Sequence, residues 1–211
     1  MNARKITIAA SFAAAALALS GCNAGNAETP TQQPSKEASA SPTKASQSPT
    51  PTPSKKNEYK PASAAGPAEN VPIPKMPAEA KENTEEGAAA FAEYYFELIN
   101  YVIETNDPEP IKPVTSRGCT VCGRSVIDTA TLAQRTGKWQ VGGKHYASVI
   151  DSYKLTKKKA VVSVRYKVDQ SKFYIKPNQL ESDLEKIPSS ILALELSFDG
   201  KWITDEISGE G

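Results

Sequence analysis

Leu192-Ala193-Leu194-Glu195-Leu196-Ser197-Phe198-Asp199-Gly200-Lys201-Trp202-Ile203-Thr204-Asp205-Glu206-Ile207 reads as two strands joined by a tight turn. Leu192, Leu194, Leu196 and Phe198 alternate with smaller or polar residues, the period of two expected of a half-buried strand. Asp199-Gly200 supplies a two-residue hairpin turn, and 201–207 returns antiparallel. That turn sets Leu196 beside Ile203 and Leu192 beside Ile207, leaving Trp202 on the opposite face. The C-terminal part of the chain is therefore expected to be antiparallel sheet.

The same period holds upstream. His145, Ala147, Val149, Asp151, Tyr153 and Leu155 share one face of a strand; Ala160, Val162, Val164, Tyr166 and Val168 share one face of the next. With a turn over 156–159, Leu155 opposes Ala160 and Val149 opposes Tyr166. Lys157-Lys158-Lys159 then falls in a solvated turn. Between this hairpin and the last, 172–176 suits a short strand and 179–186 a helical turn that Pro188 ends.

Before His145 the period is close to 3.6. Phe91, Tyr95, Leu98 and Val102 mark one face of an amphipathic helix, with Glu93, Glu97 and Glu104 largely off it. Asn83 with Glu86 has the spacing of a capping box, and Thr84 is a competing cap. Asp107-Pro108-Glu109-Pro110 stops the helix near Thr105-Asn106. A second helix is expected after Ser116, through Cys119 to about Arg135, with Val126, Ala130 and Ala133 inward and Gly137 closing it. Gly142-Gly143 opens the change to strand. Helices succeeded by antiparallel hairpins give an α+β fold, N-terminal helices packed on a curved antiparallel sheet.

The N-terminal part has a different composition. Arg4 and Lys5 precede an Ala/Leu-rich run over 6–19, too short to span a bilayer comfortably, and Leu19-Ser20-Gly21-Cys22 closes it. This pattern resembles a bacterial lipoprotein signal, cut before Cys22 once the thiol carries diacylglycerol. Residues 22–75, rich in Thr, Pro, Ser, Ala, Gln and Lys, have too little apolar surface to offset their ordering entropy and are expected to form a disordered linker. Its length would hold a domain on the order of 45 Å from the membrane as a coil. Three segments result: a signal over 1–21, a linker over 22–75 and one α+β domain over 76–211. The expected location is the outer face of the cell membrane, with the membrane itself as partner through the lipid on Cys22.

Charge excludes one class of partner. The chain's formal net charge is +1, and no basic stripe is visible, so nucleic acid is not an expected partner. With Cys22 lipidated, Cys119 and Cys122 remain as a pair whose oxidation an exported domain favours. Closing so small a loop contributes roughly 2 kcal/mol. A redox-active pair is the competing reading, but the Pro-containing loop before Cys119 lacks the βαβ context of a thioredoxin-like site. Zinc would need two ligands beyond these thiols, and no cofactor is expected.

Other chemistry is sparse. His145, the sole histidine, shares a predicted face with Asp151, but six strand residues separate them by roughly 20 Å, too far for a dyad. An inward Asp151 would need a partner or a raised pKa, which makes it the first candidate for a cavity-lining polar group. Tyr95, Tyr166 and His145 join it as candidate ligand-binding residues, since an apolar cleft edged by tyrosine hydroxyls suits a small apolar molecule. No nucleophile elbow, phosphate-binding loop or dinucleotide fingerprint is present.

Glu85-Glu86-Gly87-Ala88-Ala89-Ala90-Phe91, the Cys119/Cys122 pair, Gly142-Gly143 and Phe198-Asp199-Gly200-Lys201-Trp202 together resemble an uncharacterised family of actinobacterial lipoproteins. The order of elements is similar to the nuclear-transport-factor-two-like or SnoaL-like cone, within the cystatin-like class. The resemblance implies a fold and a location, with no catalytic residue to carry over. The chain is accordingly expected to be a non-catalytic binding or protein-interaction module of the cell envelope. The alternative is a small apolar ligand carrier, or an enzyme, that uses the cone's interior.

Overall fold

The computed structural model describes residues 58–209. The signal over 1–21, the lipid site at Cys22 and most of the expected linker lie outside the described residues.

The first helix, α1, spans Glu85–Thr105. Thr84 is its N-cap, its hydroxyl accepting from the Gly87 N–H at 2.9 Å. Asn83 serves another end: its amide donates to the Lys157 carbonyl and its oxygen accepts from Lys154 Nζ. Gly87 is required here, because a Cβ at this position would land on the Glu82 carbonyl oxygen. Phe91, Tyr95, Leu98 and Val102 are buried as their spacing predicts. Asn106 ends the helix in the left-handed conformation, its N–H returning to the Val102 carbonyl. The second helical stretch begins as a π-helix over Cys122–Asp128 and continues as α2, Thr129–Thr136, capped by left-handed Gly137.

Seven strands come next: β1 Trp139–Gly142, β2 His145–Thr156, β3 Lys159–Val168, β4 Ser171–Lys176, β5 Gln179–Leu184, β6 Ile187–Phe198 and β7 Trp202–Gly209. They form two antiparallel sheets, ordered β1-β4-β5 and β2-β3-β6-β7. The fold is α+β with few helices. Three pieces of chain pass from one sheet to the other. Gly143-Lys144 carries β1 into β2, Asp169-Gln170 carries β3 into β4, and Glu185-Lys186 carries β5 into β6. Gly142 and Gly143 both have positive φ, and a Cβ on Gly142 would meet the Gln170 carbonyl oxygen at 2.6 Å. The Gly143 N–H donates to that same carbonyl at 3.0 Å, and the Asp169 N–H to the Lys144 carbonyl at 3.0 Å. The corner is thus a backbone joint that side chains would obstruct.

Both predicted registers are corrected. The last hairpin turns through three residues, 199–201, with Gly200 left-handed, so Phe198 faces Trp202 and Leu196 faces Thr204. A bulge beside Glu195 then sets Leu194 against Ile207. Trp202 therefore points inward, fully buried, its indole N–H donating to the Glu82 carbonyl at 2.9 Å. In the β2–β3 hairpin, irregularities at Ile150 and Leu155 shift the pairing, so Val149 opposes Val164 and Lys154 opposes Ala160. The two extra residues are exposed, Ile150 at 47% and Leu155 at 61%. Each odd residue flips the face of the residues after it. Ala147 and Val149 pack on the core, whereas Asp151 and Tyr153 turn outward.

Two further differences concern polar stretches. Residues 179–184, expected as a helical turn, form β5, an edge strand with every residue exposed; its pairing with β4 decides the conformation over local preference. Pro188 lies within β6 rather than ending an element. Residues 58–75, assigned by composition to the linker, are ordered as an arm on the domain. Lys60 and Ser63 pair with Glu69 and Gly66, Trp139 Nε1 donates to the Ser63 carbonyl at 2.7 Å, and the Asn178 N–H donates to the Ala64 carbonyl at 2.6 Å. Backbone bonds, the buried Trp139 indole, Val71 packed on the core and a Tyr59 hydroxyl that donates to Glu104 order a segment that composition alone assigns to the linker. Lys157 and Lys158 form the expected exposed turn.

Candidate functional site

A cavity of about 490 Å³ lies where α1, the π-helix and the sheet corner meet. Helical spacing puts Tyr95, Phe96, Ile99 and Ile103 on one wall. The π-helix adds Cys122 and Val126, β6 and β7 add Leu192 and Ile207, and β4 adds Phe173. The lining is mostly apolar. A π-helix turn at a cavity wall is a common mark of a functional site.

His145 of β2 and Tyr166 of β3 form a polar pair in its wall, and Asn106, Gln140 and Ser171 are also among its lining residues. The Tyr166 hydroxyl and His145 Nδ1 stand 2.9 Å apart, and the rings meet edge to face with centroids 5.5 Å apart. Phe96 packs on the Tyr166 ring at 5.7 Å. Burial holds the imidazole down to about 4 and pushes the Tyr166 phenol up to about 12. Both groups are neutral near neutral pH. A neutral Tyr–His bond leaves one donor and one acceptor, at His145 Nε2 and at the phenol oxygen, whichever ring nitrogen holds the proton.

Asn100 fixes this pair in place. Its amide donates to the His145 carbonyl at 2.9 Å, and its oxygen accepts from the His145 N–H at 2.8 Å. That two-way clip ties the start of β2 to α1. No motif in the sequence singles out Asn100, although an amide four residues after Phe96 on a buried helix face is a signal for such a bond.

The predicted site residues divide. Tyr95, Tyr166 and His145 are brought together around the cavity. Tyr95 contributes its ring only: the Thr115 hydroxyl donates to the Ile111 carbonyl, so the Tyr95 hydroxyl donates to Thr115 Oγ1 at 2.9 Å. Burial pushes Tyr95 up to about 12, consistent with a donor that stays protonated. Asp151 does not join them. The bulge at Ile150 places it on the exposed face, its carboxylate accepting from the Ser152 N–H. Cys119 and Cys122 stand at disulfide distance with Cα atoms 5.3 Å apart, both buried. Cys22 lies outside the described residues.

Exposed Val121, Leu184 and Ile187 ring the cavity's opening, with Asp169 and Glu185 among them. The Tyr146 hydroxyl donates to Asp169 Oδ2 at 2.9 Å. A larger groove, about 680 Å³, runs between the arm and the outer side of α1. It holds none of the predicted site residues, and prolines of the arm make much of its wall.

Residues 57–207 match a family of unknown function, DUF6318. The chain belongs to that family. No curated protein matches the chain. Among solved structures, the crystal structure of the intermembrane space region of the chloroplast protein ARC6 is similar at a TM-score of 0.39 and 14% identity. That likeness covers 57% of this chain and 95% of the other, and is too distant to bear on fold or function. For this member of DUF6318, the functional reading rests on the cavity.

Proposed function

We propose that this chain is a lipid-tethered binding module of the cell envelope, which holds a small apolar ligand in the cavity beneath the sheet corner. One observation carries the reading: a mostly apolar chamber of about 490 Å³ whose wall carries the hydrogen-bonded, neutral His145–Tyr166 pair. A volume in this range and mostly apolar walls that also carry polar groups suit a small-molecule site. The packing of α1 on β1, β2 and β3 supports a SnoaL-like cone, and Leu19-Ser20-Gly21-Cys22 supports a lipid anchor at the outer face of the membrane, of the actinobacterial lipoprotein kind.

Binding is favoured over turnover by the state of His145. An imidazole held at about 4 is a weak base at neutral pH, far from the range in which general-base catalysis is efficient. The pair orients a bound group rather than removing a proton from it.

Filling the chamber tests this. The folded domain is expected to enhance the fluorescence of the neutral probe N-phenyl-1-naphthylamine, and Val126→Trp, which projects an indole into the space, is expected to weaken that binding at least tenfold with an unchanged circular dichroism spectrum. Equal binding by the filled variant would refute a ligand site here. The anchor has its own test. Cys22→Ala in the full chain is expected to move the protein from the membrane fraction to the soluble one; retention in the membrane would remove the lipid assignment.

A further inference from the structure

We infer that the cavity selects amphiphiles with an uncharged, hydroxyl-like head group and rejects carboxylates and phosphates; this rests on the ligand-binding reading above. The cavity lining contains no lysine or arginine among the described residues. The charged groups among its lining residues are Asp169 and Glu185, both acidic. An anionic head brought into the chamber would lose its water, find no countercharge and meet two carboxylates at the opening. Burying an ion without a partner is among the costliest events in protein recognition.

The polar pair fits the opposite chemistry. Tyr166 and His145 hold one hydrogen bond between them, and the donor and the acceptor that remain lie at opposite ends of the pair, on His145 Nε2 and the phenol oxygen. A hydroxyl can pair with either one, donating or accepting, whereas a carboxylate can use only the donor. The Asn100 clip fixes the His145 backbone and so the place of the head group. The apolar wall of Ile99, Val126 and Leu192 then takes the hydrocarbon part.

The test is competition at pH 8, where decanoate is ionised. Decan-1-ol and sodium decanoate are titrated against N-phenyl-1-naphthylamine bound to the folded domain. Decan-1-ol is expected to displace half the probe at a concentration at least tenfold below that needed for decanoate. Displacement by decanoate at equal or lower concentration overturns the inference and leaves the binding site intact. Failure of both to displace the probe overturns the site and the inference together. A second variant examines the cause. Ser125 is exposed and borders the cavity, so Ser125→Lys adds a cation without disturbing the core. It is expected to improve decanoate at least threefold while leaving decan-1-ol unchanged, and an unaltered ratio would refute the role given to the missing countercharge.

Discussion

Trp202→Ala is expected to cost on the order of 3–5 kcal/mol, enough to unfold a large fraction of a domain of ordinary stability. Trp202 is the largest fully buried side chain in the described core. It packs edge to face on Phe198 with centroids 5.0 Å apart. Its N–H donates to the Glu82 carbonyl just before α1, whose own start is crowded against that residue at Gly87. Alanine would leave a void and an unmet carbonyl at the junction of helix and sheet. Urea denaturation monitored by circular dichroism measures the loss. Trp202→Phe fills most of the space but cannot donate, and is expected to lie between the two. An alanine variant within about 1 kcal/mol of wild type would show that this junction does not hold the fold together.

Acid should destabilise the domain through His145. The folded-state value of about 4 lies below the ordinary 6.5 because burial disfavours the imidazolium. The unfolded chain therefore binds a proton that the folded chain refuses. The stability from the neutral ring is whole above pH 6.5 and is lost progressively as pH falls from 6.5 toward 4. The full loss is about 3 kcal/mol or somewhat less, since the ring is only partly enclosed. Carboxylates titrate in the lower part of the same window, so the measure is a difference. Urea midpoints of wild type and His145→Gln are compared from pH 7.5 to 4.5, and the variant is expected to show the shallower decline. Parallel curves would mean that the imidazole titrates alike in the folded and unfolded states.

The helices and strands were largely legible in the sequence, because each long element carries its period openly. Phe91, Tyr95, Leu98 and Val102 all lie where a 3.6-residue repeat puts them, and Ala160 to Val168 alternate as read. The registers were not. A bulge adds one residue with no mark in composition, and at Ile150 that residue turned Asp151 from a cavity candidate into an exposed side chain. Gly200 takes a left-handed conformation, which two-residue and three-residue turns both use, so the sequence did not decide between them. β5 was missed because its pairing partner, not its own exposed residues, makes it a strand. The arm over 58–75 was missed for a related reason: its bonds are to the distant Trp139 and Asn178. Of the site, Tyr166 and His145 could be named as candidates, yet their contact depends on the corrected register that aligns His145 with Val168 and Ala147 with Tyr166.

The joint at Gly142, Gly143 and Gln170 is made of backbone, and it ties together two of the crossings between the sheets. Frame and furnishing are therefore separate inheritances in this molecule. On the ligand-binding reading proposed above, Val126 or Leu192, which border the core, could be exchanged for other apolar residues to retune what fits, with the backbone joint left standing. A lineage built on such a plan would have room to diversify its guests while its architecture stays put.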